Sequence, residues 1–217
     1  MASTHPHPDA VGAVPAGADA PDLGDSPPDV GSRLRALRRE QGMSARQLAE
    51  SLGISPSAVS QIERGVLQPS VSRLIAITDA LGVPLASVFD AKADVIAEIE
   101  ATIGGFALER AGHSSVVTLG SGVLFRRLSP GRTPGVDYFE STYPPGSSAH
   151  AEAELFRHDG YEIGRVSSGE LTIDFEEEKV VLRPGDAISF PCSRPHRIHN
   201  AGDEDAVAQW LIVHAER

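Results

Sequence analysis

Between residues 29 and 90 the apolar residues recur at helical spacing. Val30, Leu34 and Leu37 stand at i, i+4 and i+7, one face of a helix. Arg33, Arg35, Arg38 and Arg39 decorate the rest of it, and Gly42 stops it. Ser44 and Gln47 form the S-x-x-Q pattern of a capping box, which opens a second helix with Leu48 and Leu52 on its buried side and Gly53 at its end. Ser55 is placed to cap a third helix, with Pro56 at the first helical position, where its missing N–H costs nothing. Ala58, Val59 and Ile62 face inward there, and Gly65 ends the helix. Pro69 and Ser70 open a fourth, with Val71, Leu74, Ile75 and Leu81 apolar, and a short fifth segment from Pro84 to Phe89 closes a five-helix bundle.

From Ser114 onward the period changes. Short β-rich runs alternate with Gly/Pro turns: SSVVTL, GVLFRRL, VDYFESTY, EIGRVSSG, ELTIDF, KVVLR, DAISF and VAQWLIVH. Many short strands at this spacing predict a sandwich or barrel. The expected organisation is a disordered tail over 1–28, a helical domain over 29–90, a linker over 91–112 and an all-β domain over 113–217. The tail is rich in Pro, Gly, Ala and Asp and has no aromatic residue, so it cannot bury enough surface to offset the entropy of ordering. Its His5 and His7 are too few to ligate a metal. The linker reads as helical between Ala91 and Ile103, until Gly104 and Gly105 break it.

Charge changes the picture. The net −11 argues against a nucleic-acid partner until it is divided. Residues 1–28 carry four acids and no Lys or Arg; residues 91–217 carry twelve bases and twenty acids; residues 29–90 carry seven Arg and six acids. The helical segment is thus the one part that is not acidic, and only a docking face must be positive. The single cysteine, Cys192, permits no intrachain disulfide, which suits a reducing cytoplasm. There is no signal-peptide pattern, and no run approaches the ~18 apolar residues that span a bilayer. The expectation is a soluble cytoplasmic protein with no membrane partner.

The stretch SARQLAESLGISPSAVSQIERG places two capped helices around a tight turn at Gly53-Ile54-Ser55. The second helix of such a pair enters the DNA major groove with its N-terminal residues leading. Through Gln47-Leu48-Ala49, Gly53, Val59-Ser60-Gln61-Ile62-Glu63 and Gly65 it resembles the Cro-like helix-turn-helix family. The resemblance makes Ser57 to Arg64 the recognition helix, with Ser57, Ser60 and Gln61 reading base edges and Ser55 and Pro56 at the leading end. Gln61 suits adenine N6 and N7, while Arg46 and Arg64 suit phosphates, which position rather than specify. For Arg33 to Arg39, solvation on a helix face is an equally good account.

Two further pieces, HDGYEIGRVSSG (158–169) and PGDAISFPCSRPHRIHN (184–200), resemble the cupin family, a small jelly-roll β-barrel. His158, Glu162 and Gly169 fit the spacing of its first motif. Gly185, Pro191, His196 and Asn200 fit the second, with Ser193 in place of a frequent Gly. On a regular strand His158 and Glu162 point the same way, and His196 converges from another strand. Phe156 stands where the family has a further His. The trio His158, Glu162 and His196 is then a two-His, one-carboxylate face for a divalent metal, or a metal-free pocket that hydrogen-bonds an effector, or a set of satisfied barrel residues without ligand. His150, from the preceding loop, is a candidate replacement ligand. Arg126, Tyr138, Glu140, Gln209, Trp210 and His214 lie in predicted strands with undetermined facing. Trp210 reads best as packing, and Glu176-Glu177-Glu178 as a solvated hairpin turn.

A Cro-like domain followed by a cupin resembles a group of bacterial transcriptional regulators. That implies a homodimer on a double-stranded DNA operator, a small-molecule effector in the cupin, and no enzyme activity. The same architecture also resembles hydroxypropylphosphonate epoxidase, a mononuclear iron enzyme whose ligands His158, Glu162 and His196 would match. Its substrate-clamping residues are not matched: Gly42 and Met43 stand where a Lys is expected, and Val123-Leu124-Phe125 where tyrosines are expected.

Overall fold

A computed structural model of the chain describes residues 29–89, 108–109, 116–131, 133–150 and 155–214. The tail over 1–28 and nearly all of the linker over 91–112 lie outside the described residues.

The helical part is built as its caps dictate. Helices α1 (Val30–Glu40), α2 (Ala45–Ser51), α3 (Pro56–Glu63) and α4 (Val71–Leu81) start at Asp29, Ser44, Ser55 and Ser70, each with its side chain accepting a first-turn backbone N–H. The α2 capping box is reciprocal: Gln47 N donates to Ser44 Oγ at 3.2 Å and Ser44 N to Gln47 Oε1 at 2.9 Å. Gly53 reverses the chain with φ +65°, a left-handed value that a side chain resists. The fifth helix is a correction. Pro84 is followed by one 3-10 turn, Leu85–Val88, whose four residues make the short i to i+3 form and not an α-helix. There are therefore four α-helices among the described residues.

One element of this part has no local signal. Arg38 is buried, not solvated: its guanidinium clasps the buried Glu63 of α3, with Nη2 to Oε2 at 2.9 Å, and donates through Nη1 to Met43 O. That charged hydrogen bond raises the Arg38 pKa. Gly31 lets α1 lie directly on α3, since a Cβ there would stand 2.4 Å from Ile62 O.

The described residues of the β part form nine strands: β1 (Val116–Thr118), β2 (Leu124–Arg127), β3 (Val136–Tyr143), β4 (Tyr161–Ser168), β5 (Leu171–Phe175), β6 (Lys179–Leu182), β7 (Ala187–Pro191), β8 (His196–His199) and β9 (Ala206–Val213). They form two antiparallel sheets, β1-β2-β3-β9-β4-β7 and β6-β5-β8. No closed barrel forms among the described strands, which corrects that expectation. The sheets are linked by chain crossings rather than ladders, and β4 feeds β5 through Gly169, where a Cβ would meet Asp205 O at 2.3 Å. β8 is the strand absent from the β-rich runs; its sequence HRIH carries one β-branched apolar residue.

The two parts share one apolar core. Phe89, just past the 3-10 turn, packs on the stacked Phe125 and Phe139 of β2 and β3, with centroids at 6.0 and 5.5 Å. Hydrogen bonds among the described residues that cross the junction include Gly120 N to Pro69 O at 2.8 Å, Ser72 N to Ala149 O at 3.0 Å, and Ala86 N to the buried Asp137 Oδ1 at 3.2 Å.

Candidate functional site

The exposed face of α3 and the residues before it form the first candidate site. Ser55, Pro56, Ser57, Ser60 and Arg64 are exposed and Gln61 is half-buried, whereas Val59 and Ile62 on the opposite side are buried. Ser55 is committed to its cap, accepting from Ala58 N at 3.1 Å. Arg64 folds back to donate from Nε to Ser60 O at 3.1 Å. Arg46 is exposed on α2. The helix presents its N-terminal end and its free polar side chains outward, the disposition that groove reading requires.

The second site is a cavity of about 30 Å³ lined by His150, His158, Glu162 and His196, with Tyr143, Trp210 and the α4 residues Val71, Ser72 and Ile75 among its walls. One ligand atom each from His158, Glu162 and His196 lies within 4.8 Å of the others, and all three residues are buried. Strand alternation is not what brings His158 to Glu162, because β4 begins only at Tyr161. His158 lies before the strand, and its N donates to Cys192 O at 3.1 Å. The chain then turns through Gly160, whose φ of +108° and approach to Val213 O exclude a side chain. Glu162 follows on β4, and His196 opens β8.

The imidazoles are oriented by the backbone. His158 Nδ1 lies 3.0 Å from Asp159 O and His196 Nδ1 lies 2.8 Å from Arg194 O. Both Nδ1 atoms therefore donate to carbonyls, which leaves Nε2 as the ring atom available to a ligand. His158 Nε2 faces Glu162 Oε1 at 3.1 Å, a contact that one proton or a cation can bridge. Two ligands on one zinc ion stand about 3.3 Å apart, close to this spacing. Glu162 Oε2 is buried without a partner. The donor set therefore fits a divalent transition metal, which would supply Lewis acidity or a structural tie at this point.

Burial lowers the pKa of His196, and lowers that of His150 to about 3, with His196, Arg197 and His158 adding repulsion of a second positive charge. Burial also raises the Tyr143 phenol, aided by the nearby Glu162 carboxylate and opposed by a hydrogen bond with Ser141. Phe156, at the position of the missing ligand, stacks on His158 at 5.5 Å and exchanges backbone hydrogen bonds with His196. Asn200, the last motif residue, serves the fold, as its Nδ2 donates to Tyr143 O and Glu204 O at 2.7 Å.

Of the strand residues with undetermined facing, Trp210 lines this cavity, and its Nε1 donates to Ser141 Oγ at 3.0 Å. Arg126 pairs with Glu140 at 3.7 Å, and the Tyr138 hydroxyl donates to Gln209 Oε1 at 3.3 Å, away from the cavity walls. His214 pairs with Asp137 at 2.7 Å beside a separate cleft of about 480 Å³ under the end of α4. Glu176-Glu177-Glu178 are exposed in the β5–β6 turn. Sequence reasoning missed Tyr143 and the whole α4 wall. No local pattern marks them, since α4 meets the cavity only after the two parts dock.

Residues 34–88 match the helix-turn-helix family model and residues 139–214 the cupin domain model. The chain is 29% identical over 170 residues to the HTH-type transcriptional regulator PuuR of Escherichia coli strain K12, covering 78% of this chain and 86% of that one. The crystal structure of an HTH_3 family transcriptional regulator from Vibrio cholerae superposes with a TM-score of 0.62 at 22% identity, over 87% of this chain and 97% of that one, a likeness of fold. Hydroxypropylphosphonic acid epoxidase from S. wedmorenis is matched over 86% of this chain and 98% of its own at 17% identity, but with a TM-score of only 0.42. At that level the likeness says nothing of chemistry. No helix among the described residues is long and apolar enough to cross a membrane.

Proposed function

Starting from a chain that is a helix-turn-helix transcriptional regulator with a C-terminal cupin domain, we propose that it binds an operator as a homodimer and that occupancy of the cavity beneath α4 changes this binding. In this reading α3 lies in the major groove of double-stranded DNA. Ser57, Ser60 and Gln61 face base edges, Ser55 and Pro56 lead, and Arg46 and Arg64 meet phosphates. His158, Glu162 and His196 hold a small effector or a divalent metal. The protein acts in the cytoplasm, where its operator is.

The observation that carries this reading is the double attachment of the first turn of α4. Ser72 N donates to Ala149 O on the cavity loop at 3.0 Å. The next residue, Arg73, donates from Nη1 to Leu52 O, the C-cap of α2 in the helix-turn-helix, at 3.3 Å. Two residues thus connect the cavity wall to the DNA-reading unit. The cavity holds about 30 Å³, room for a water or an ion, so an organic effector enters only as α4 moves. In a dimer whose recognition helices must match half-sites ~34 Å apart, such a shift weakens binding. The same volume disfavours an enzyme, because a substrate beside the metal would have to displace the DNA-reading domain at every turnover.

The test is operator binding by fluorescence anisotropy with DNA from the region upstream of the protein's own gene. Gln61→Ala is expected to lower affinity by about 5- to 150-fold, the 1–3 kcal/mol of one bidentate base contact, with unchanged melting temperature. A thermal-shift screen identifies what the folded state binds. Operator affinity that is equal with and without such a ligand refutes the coupling.

A further inference from the structure

The cavity contains more polar capacity than the trio explains. His150 is 7% exposed, and neither of its ring nitrogens has a hydrogen-bond partner. Glu162, which lines the same cavity, likewise has its Oε2 unpaired. A buried polar atom left without a partner costs about 1–3 kcal/mol, so a His150 ring nitrogen and the Glu162 oxygen unpaired at one small cavity describe a site shaped for something that bonds to both. Organic molecules are too large for the space, and a single water, with two protons to donate, cannot serve one His150 nitrogen, the Glu162 carboxylate and the Nε2 atoms of His158 and His196 together. A divalent transition-metal ion can.

Resting on the reading of this cavity as the ligand site, we infer that His150 is the fourth ligand of a transition-metal ion held with His158, Glu162 and His196. The fourth donor thus comes from the loop that follows β3 instead of from position 156. Two imidazoles on one ion have ring centroids about 5 Å apart. His158 and His196 stand at 5.6 Å, and His150 and His196 at 6.3 Å. His150 lies outside the 4.8 Å set of ligand atoms, so the ion draws it inward by roughly 1 Å. Phe156 is consistent with this exchange. Its ring packs 5.8 Å from the His150 ring and 5.5 Å from the His158 ring, filling the side from which the absent donor would have come. His150 is also adjacent to Ala149, whose carbonyl receives the Ser72 N–H of α4. Capture of His150 therefore acts on the residue next to the contact between cavity and DNA-reading unit.

The experiment is metal titration of the full chain with zinc(II) by calorimetry and with cobalt(II) by visible absorption, together with pulsed EPR of the copper(II) form to count coordinated imidazoles. Three imidazoles are expected in the unmutated protein, a readout that needs no variant to fold. His150→Ala is expected to weaken zinc by at least the ~100-fold at the upper end for outer-shell partners, and to alter the cobalt spectrum. Phe156→His added to His150→Ala is expected to recover both. Two imidazoles in the unmutated protein, or a His150→Ala variant with unchanged affinity and spectrum, overturns the assignment, as does the absence of metal binding. Operator binding measured on the same samples separates the readings: DNA retention with two imidazoles refutes only His150, and three imidazoles without DNA binding refutes only the regulatory reading.

Discussion

The turn between α2 and α3 and the cavity between the two sheets both present functional side chains, but they are held in opposite ways. Around the turn the positioning bonds span three or four residues, as in Ser44 with Gln47, Ser55 with Ala58, and Arg64 with Ser60. Around the cavity the imidazoles are also aimed locally, by Asp159 O and Arg194 O, but the strands that carry the site are tied across tens of residues. Asn200 ties to Tyr143 across 57 positions and Trp210 to Ser141 across 69. Each long-range pair needs a loop already closed, so it forms only with the rest of the fold. The first site is thus fixed largely by bonds within its own helices. The second exists only through docking, which makes it the place where a ligand can alter the relation between the two parts.

Glu63→Ala breaks this contrast where the helical part does depend on a distant partner. It leaves the Arg38 charge buried and unpaired, and a loss of about 3–5 kcal/mol is expected in urea unfolding. Replacing both residues together by apolar ones is expected to restore most of that. A small loss for Glu63→Ala alone would mean that the local caps suffice.

Phe89→Ala tests the docking. It removes the ring that joins Phe125 and Phe139 to the helices, with an expected cost of about 3–5 kcal/mol. It is also expected to divide a single thermal transition into two. One undivided transition at lower temperature would show that the remaining contacts keep the parts cooperative.

Acidification is expected to act on the cavity before the helices. In the unfolded chain His150 takes up a proton near pH 6.5, whereas in the folded protein burial holds this off until about pH 3. Between those values the unfolded state binds more protons, so stability falls as the pH falls, by up to about 1.4 kcal/mol per unit from this group. His150→Gln is expected to flatten that slope in denaturation curves between pH 7 and 4.

The smallest effect is expected from Ser55→Ala, about 1 kcal/mol for the lost N-cap. Two-dimensional NMR of the variant should show its shifts confined to α3 and the turn. Changes reaching β8 would deny that this site is locally determined.

What the sequence by itself determined is what short-range chemistry encodes. The starts of α2, α3 and α4, the glycine stops and the α3 face were legible, because capping and left-handed φ values act within a few residues, while the meeting of His158, Glu162 and His196 was legible only through the resemblance of their motifs. Eight of the nine strands were legible as runs, though the sequence could not order them or say whether they close. β8 was absent from the β-rich runs and entered only as the strand that the second motif places at His196, because HRIH gains its conformation from pairing with β5. Only the tertiary structure decided that Arg38 is buried against Glu63, that His158 reaches Glu162 through a turn before the strand, and that α4 forms a wall of the cavity. Each of these depends on surfaces that meet only when the chain has folded, and no local pattern of residues records such a meeting.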